Sequence, residues 1–435
     1  MNRAFTTCLS LLFVCWLLGC NSSEAQQVNS INYNASSSSQ EQDADSSDWM
    51  VWRGPNGNGV APAGQDPVTQ WSDSENVIWK TEVPGRGHAS PIILGNQIFL
   101  ATSDQEAGTQ SVLCYSRDKG ELDWNTSVNE GGLRGRIHRN NNHASSTIST
   151  DGKHVFALFE NNDSIRMYVL TLDGELAWEK DLGPYSPHFP FGFGASLLIH
   201  GDHVIVPGES REGFLVALNK DTGDEVWRID RTSSSYSSPI VTKIDGTEML
   251  LISGGKKVDA INPSNGESIW SADAVWNVSC GTMVWDGNMV FASGGFPEPQ
   301  TLAINGENGD VVWTNSVKCY EQSMLAYDGY IYAVSDNGSI YCWRAKDGQE
   351  MWNEKWFAGR RDGVSSSPVL VGDKIYASLE SGKTFVIRAT PDKYELIAEN
   401  QLGDSAFATP AFLDSKMYAR FAKDGQEWLY CFGKE

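Results

Sequence analysis

One interval recurs along this chain: ten residues from a small side chain to a tryptophan, at Cys114 to Trp124, Ala217 to Trp227, Ala260 to Trp270, Ala303 to Trp313 and Cys342 to Trp352. A glycine stands six residues after the small residue in each copy, at Gly120, Gly223, Gly266, Gly309 and Gly348. Spacing of this kind, returning every roughly 40 to 55 residues, marks a repeat architecture in which each copy buries its apolar face against its neighbours. Length alone would divide 435 residues into two or three domains. The repeat instead predicts one closed array with its function on the loops.

Each repeat opens on a hydroxyl-bearing pair: Ser90-Pro91, Ser146-Thr147, Ser196-Leu197, Ser238-Pro239, Gly281-Thr282, Ser323-Met324, Ser367-Pro368 and Thr409-Pro410. Second strands follow, among them Gln97 to Thr102, Val155 to Phe159, Ile331 to Ser335 and Met417 to Phe421, rich in β-branched and aromatic residues. Asp-Gly and Gly-Asp pairs, such as Asp151-Gly152 and Gly372-Asp373, supply the positive φ of tight hairpins. A third strand carries the small residue and a fourth the tryptophan. The pattern predicts an all-β fold, an eight-bladed β-propeller with four antiparallel strands per blade. The last repeat stops at Cys431, Phe432 and Gly433, one strand short, while Val77 to Lys80 looks like a tryptophan strand without its other three. Pairing of the Trp79 strand with the Cys431 strand would close the ring and remove two exposed edges. Trp79, Trp124, Trp178, Trp227, Trp270, Trp313 and Trp352, with Ile397 in the seventh blade, then form one structural belt. Each buried ring contributes on the order of 5 kcal/mol of gross apolar transfer, an upper bound.

The amino terminus reads as a secretory signal: Asn2-Arg3, a short apolar run, then Leu17-Leu18-Gly19-Cys20. The last four residues resemble the bacterial lipobox, which implies lipidation of Cys20; an ordinary signal peptide with an incidental cysteine is the alternative. Residues 20–47, rich in Ser, Asn and Gln, suit a tether, so the chain divides into a signal peptide (1–19), a tether (20–47) and a propeller (48–435). A net charge of −22 argues against nucleic acid as a partner. Cys114, Cys342 and Cys431 occupy the small-residue position and read as buried fillers. Cys280 and Cys319 lie in corresponding loops, where an oxidising compartment would permit a disulfide.

Ala217, Asn219, Thr222, Gly223 and Trp227 resemble the tryptophan-docking motif of the pyrroloquinoline quinone (PQQ) repeat family, with Asn219 where aspartate is usual. The resemblance covers about residues 52–435. It implies one of two branches: quinoprotein dehydrogenases, which hold PQQ and calcium in the axial funnel, or BamB-like lipid-anchored propellers, which are binding scaffolds. The lipobox, the short blades and the absence of adjacent cysteines are more similar to the second branch. The opening Trp52-Arg53-Gly54-Pro55 is similar to the start of planctomycete-type secreted propellers. The resemblance implies a monomeric scaffold in the cell envelope, anchored by lipid to the outer membrane and facing the periplasm. Its partner would be an envelope protein complex or an anionic polymer such as a glycan, and no cofactor is expected. The alternative is a periplasmic oxidoreductase with PQQ and calcium.

Propeller sites are built on the connections from the fourth strand of one blade to the first of the next. The loop Asn129 to Ser145 concentrates Arg134, Arg136, His138, Arg139 and His143 in an acidic chain; Arg86, His88, Arg360 and Arg361 lie at other connections. Guanidinium groups engage carboxylate, sulfate or phosphate bidentately, so these residues predict a basic mouth for an anionic partner, with a solvated loop as the plain alternative. The loop Gly183 to Gly194 adds Tyr185, His188, Phe189, Phe191 and Phe193, which either bind a partner or plug the channel. The histidines lack compact metal spacing. Asn277, Glu321, Asp362 and Asp404 are dispersed over several first-strand approaches, from which they would have to converge to hold a calcium ion. No Gly-rich phosphate loop, nucleophile elbow or paired metal motif appears.

Overall fold

The computed structural model describes residues 48–233, 235–357 and 362–434. The signal peptide, Cys20, the tether, Arg360 and Arg361 lie outside the described residues. Among the described residues thirty-two strands, from β1 (Val77–Val83) to β32 (Gln426–Phe432), form eight four-stranded antiparallel sheets. The first blade is β2 (Ile92–Leu94), β3 (Gln97–Asp104), β4 (Thr109–Ser116) and β5 (Leu122–Glu130), paired in that order, and six further blades repeat the pattern. The eighth has the order β1, β32, β31 (Lys416–Lys423), β30 (Ala411–Leu413). Trp79 pairs directly with Cys431, so the amino-terminal strand closes the ring as its sequence implies.

The ten-residue interval is a cross-strand pair. Cys114 faces Trp124, Ala217 faces Trp227, Ala260 faces Trp270, Ala303 faces Trp313 and Cys342 faces Trp352, each with a bulge immediately after the small residue. The indole then crosses to the next blade, where its Nε1 donates to a carbonyl: Trp79 to Arg117, Trp124 to Leu172, Trp227 to Pro263, Trp270 to Gly306 and Trp313 to Ala345. The ring lies flat against the next blade's turn glycine. At Gly266 (φ +76°) an added Cβ would sit 2.9 Å from Trp227 Cε3, so both the backbone conformation and the contact demand glycine. The repeat is therefore a docking joint between blades, and the Cys114, Cys342 and Cys431 side chains fill its floor at 0 % exposure.

The strand openings form a second joint, at the axis. Ser90 N donates to Thr147 Oγ1, Thr147 N to Ser196 Oγ, and Ser196 N to Ser238 Oγ, at 2.9 to 3.0 Å. On the other side Thr282 N donates to Ser323 Oγ, Ser323 N to Ser367 Oγ, Ser367 N to Thr409 Oγ1, and Thr409 N to Ser90 Oγ, each at 2.9 Å. Each innermost strand would otherwise leave an amide unpaired at the crowded axis, and a hydroxyl from the neighbouring blade satisfies it. Thr147→Val keeps the shape but removes the acceptor for Ser90 N. An unmet buried donor costs about 1–3 kcal/mol, so the denaturation midpoint should fall; an unchanged midpoint would show that the ring of hydroxyls contributes nothing.

In a four-stranded antiparallel blade the turns between strands one and two and between three and four lie at one end, and the remaining connections at the other. Residues 49–61 cross the first of these ends. Ile93 N bonds Trp49 O (2.8 Å), Thr150 N bonds Met50 O (3.0 Å), Trp52 Nε1 reaches Thr282 Oγ1 (3.0 Å), and Ala61 N bonds Leu370 O (2.8 Å). Arg53 is buried beneath, donating to the carbonyls of Met324 and Asn58, and burial pushes its guanidinium down to about 9. The channel is thus floored at this end and open at the other.

Candidate functional site

The open end is a funnel of about 380 Å³. One position per blade builds its wall: His88, Ser145, Gly194, Tyr236, Cys280, Glu321, Ser365 and Phe407 all line it. Each stands two residues before the opening hydroxyl of its blade. Successive side chains of an extended segment point to opposite faces, so residues two apart share a face; here that face is the axis. Trp52 forms the floor, while Tyr320, Phe191 and His138 complete the wall.

The ten side chains expected to bind a ligand or partner, nine of the basic mouth and His188 of the aromatic loop, separate into three groups. Arg134 is a structural staple: its Nε pairs with Glu160, and its Nη2 reaches Asp163 Oδ1 at 3.0 Å and Tyr185 O at 3.1 Å. His143 sits half-buried below it, and burial followed by the Arg134 charge lowers its pKa. His88 stacks on Phe407 with centroids 4.0 Å apart. Burial, then Arg420 and Arg86, push its imidazole down to about 3, so it is neutral at physiological pH. Arg86 lies 3.9 Å from Glu427. The exposed group is Arg136, His138, Arg139 and His188. Arg360 and Arg361 are outside the described residues.

The aromatic loop is divided as well. Tyr185 and Phe193 are buried, packed edge to face at 5.5 Å. Phe191 lines the funnel and meets Tyr236 edge to face at 5.8 Å, while Phe189 packs against Phe296, which is 47 % exposed on the rim. Asn141 ties this loop to the basic one, donating to Phe191 O at 2.5 Å. So the loop both narrows the channel and presents aromatic edges.

Opposite the arginines the funnel is acidic. Glu321 and Glu380 both meet the Ser365 hydroxyl, at 2.6 and 2.7 Å. Burial pushes the Glu321 carboxyl up to about 7 against the favourable Ser365 bond, and Glu380 and Asp336 push it further. Burial raises Glu380 too, with Arg139 across the mouth opposing. The four residues considered for calcium do not converge: Asn277 N donates to Phe296 O at 2.6 Å, Glu321 lines the funnel, Asp362 is held by Ser381 Oγ at 2.6 Å, and Asp404 accepts Asp424 N at 2.9 Å. Among the described residues the compact group of metal-type ligands is Asp151, His154 and Asp221, at the opposite end, where Lys220 lies 3.5 Å from Asp151. Cys280 and Cys319 carry free thiols, both with pKa raised by burial.

Tyr236, Tyr320, Ser365, Glu380, Phe407 and Trp52 were not among the expected site residues. Counting back two from each opening hydroxyl would have found three of them.

Residues 37–188, 109–354 and 254–394 match a family model described as outer membrane protein assembly factor BamB. The chain belongs to this PQQ-repeat family. Similarity to the BamB of Yersinia pestis runs at 20 % identity over 393 residues, 84 % of this chain and 91 % of that protein. The crystal structure of BamB from Moraxella catarrhalis superposes with a TM-score of 0.61 at 15 % identity, covering 82 % of this chain and 99 % of that one. A quinohemoprotein alcohol dehydrogenase from Comamonas testosteroni superposes with a TM-score of 0.67 at 11 % identity, over 90 % and 82 %. At these identities the solved structures share the propeller with the BamB family member described here, and a shared propeller leaves its chemistry open.

Proposed function

We propose that the chain is a non-catalytic envelope scaffold of BamB type, lipid-anchored through Cys20 to the outer membrane, which docks a protein of outer-membrane assembly on its funnel face. The carrying observation is the rim. His138 of the basic loop meets Phe191 edge to face at 5.2 Å, Phe191 packs against Phe189 and Phe189 against Phe296, while Arg136, Arg139 and His188 on the same two loops stand exposed, the mixture of aromatic and arginine side chains enriched at protein interfaces. The relatives named as assembly factors support the same reading.

The oxidoreductase alternative meets a poor fit. PQQ carries carboxylate groups, whereas the funnel lining among the described residues offers the Glu321 carboxyl, neutral His88, the exposed His138, aromatic rings and neutral amides and hydroxyls, with neither arginine nor lysine. The calcium-type side chains are held apart as described. These residues do not suit the quinone and its cation.

Purification from membranes tests both readings. The wild type should fractionate with the outer membrane and carry a photo-cross-link from position 188 to an outer-membrane assembly protein. Cys20→Ser should move the chain to the soluble envelope fraction. Arg136→Ala with Arg139→Ala should weaken the contact and its salt dependence, because exposed charges are screened over about 8 Å at physiological ionic strength. A quinone absorbance with dye-linked alcohol oxidation, or cross-links confined to the floored end, would refute the scaffold.

A further inference from the structure

Glu321 and Glu380 share one hydroxyl, and a hydroxyl has one proton to donate. Whichever carboxylate receives it, the other faces an oxygen at hydrogen-bond distance and needs a proton or a cation. The neighbouring acids are differently placed. Asp336 accepts Tyr320 N at 2.9 Å and pairs with Lys318 at 3.1 Å. Asp362 accepts Gly363 N at 2.9 Å, Ser381 N at 3.1 Å and Ser381 Oγ at 2.6 Å. The charge left facing the funnel is therefore that of Glu321, on a wall otherwise made of aromatic and imidazole rings, hydroxyls, the Asn140 and Asn141 amides and the Cys280 thiol.

The rings have their own preference. Aromatic faces carry negative quadrupole charge and attract cations, and Tyr236, Tyr320, Phe191 and Phe407 surround the cavity above Trp52. Lys318 shows the effect locally, with Nζ 4.7 Å from the Tyr320 ring centroid, but Asp336 holds it. A volume of about 380 Å³ lies within the roughly 300–1,000 Å³ of small-ligand pockets.

We propose that the funnel binds an organic cation, an ammonium or guanidinium head on an apolar stem, with Glu321 as its counter-charge, Ser365 bridging Glu321 to Glu380, and Tyr236, Tyr320 and Phe407 around the stem. An anion would meet a carboxylate there and a neutral histidine. The cation is either a free amine or a lysine or arginine side chain of a docked protein, and the inference stands independently of the scaffold reading. It also gives the two sides of the mouth separate tasks: arginines on the outer rim, a carboxylate inside.

Calorimetry on the mature chain tests it, with pentylammonium, 1-pentanol as the uncharged isostere, and N-acetyl-Ala-Lys-Ala-amide as a side-chain source. At pH 8 at least one cation should bind roughly tenfold or more above the alcohol, as a charge-assisted contact requires. Binding of pentylammonium alone identifies a free amine, and binding of the peptide identifies a protein side chain. Glu321→Gln should reduce cation affinity roughly tenfold and leave the alcohol unchanged. Affinity should fall as pH drops through about 7, where Glu321 takes a proton; Glu380 and Asp336 also face it and Lys318 opposes them. Glu321→Gln lacks the carboxylate that must ionise in a buried place, so it should melt no lower than wild type at pH 8, which separates lost binding from lost fold. Equal binding of alcohol and cations, no binding of either cation, or full affinity in Glu321→Gln would overturn the proposal. So would cation binding that appears only after Arg139→Ala, since the chain would then supply its own cation.

Discussion

Trp270→Ala is expected to be among the most damaging single substitutions, lowering unfolding free energy by about 3–5 kcal/mol. Trp270 is 7 % exposed, donates to Gly306 O at 2.7 Å across the blade boundary, and packs within the core shared by the fourth and fifth blades. Truncation removes the apolar ring, leaves that carbonyl without its donor, and opens a void against Gly309, whose φ of +81° holds the turn close to the indole. Trp270→Phe should recover much of the loss, because it retains most of the buried area while giving up the hydrogen bond. The check is a urea titration of both variants at unchanged slope. A loss below about 1 kcal/mol for alanine would mean that the blades are held by the hydroxyl ring at the axis and that the tryptophan belt adds little.

Arg420→Met should cost a similar amount for a different reason. Arg420 donates through Nε to Glu427 at 2.5 Å and through Nη1 to Ala101 O at 2.8 Å, with side-chain exposures of 1 % for the arginine and 6 % for the glutamate. The contact to Ala101 joins the eighth blade to the first, at the seam where the ring closes. Removing the cation strands a buried carboxylate, a change worth about 3–5 kcal/mol, whereas replacing both partners with apolar residues is often close to neutral. The double variant Arg420→Met with Glu427→Met should therefore be more stable than Arg420→Met alone. A double variant as unstable as the single one would place the effect in packing at the seam. Arg420 is also the larger of the two charges depressing His88, after burial, so in the double variant the His88 imidazole should titrate higher than in wild type when followed by NMR.

The strand openings show how far the residues alone reached. Eight hydroxyl-bearing openings gave the blade count, and Trp79 without its three preceding strands gave the closure at Cys431; both depend on spacing along one chain, which sequence displays directly. What the hydroxyls do was not visible, because each bonds the backbone of a neighbouring blade some 41 to 57 residues away, and Ser90 bonds Thr409 across 319. The funnel wall was nearly visible, since its eight positions share one offset from those openings. Charge pattern points instead to the loop of Arg134, whose guanidinium is tied to Glu160 beneath it.

The sequence by itself determined the architecture: repeated spacing, small residue against tryptophan, glycine at the turn and a strand displaced to the other terminus leave one way to bury the tryptophans and satisfy the edges. Only the tertiary structure decided the electrical character of the funnel. Arg134 is neutralised by Glu160 from a neighbouring strand, His88 loses its charge by burial against Phe407, and Glu321 and Glu380 arrive on one serine from separate blades. Repeat periodicity is a property of local sequence, written once per blade. The charge at the axis is a sum over eight blades and their desolvation, and it exists only when the ring is closed.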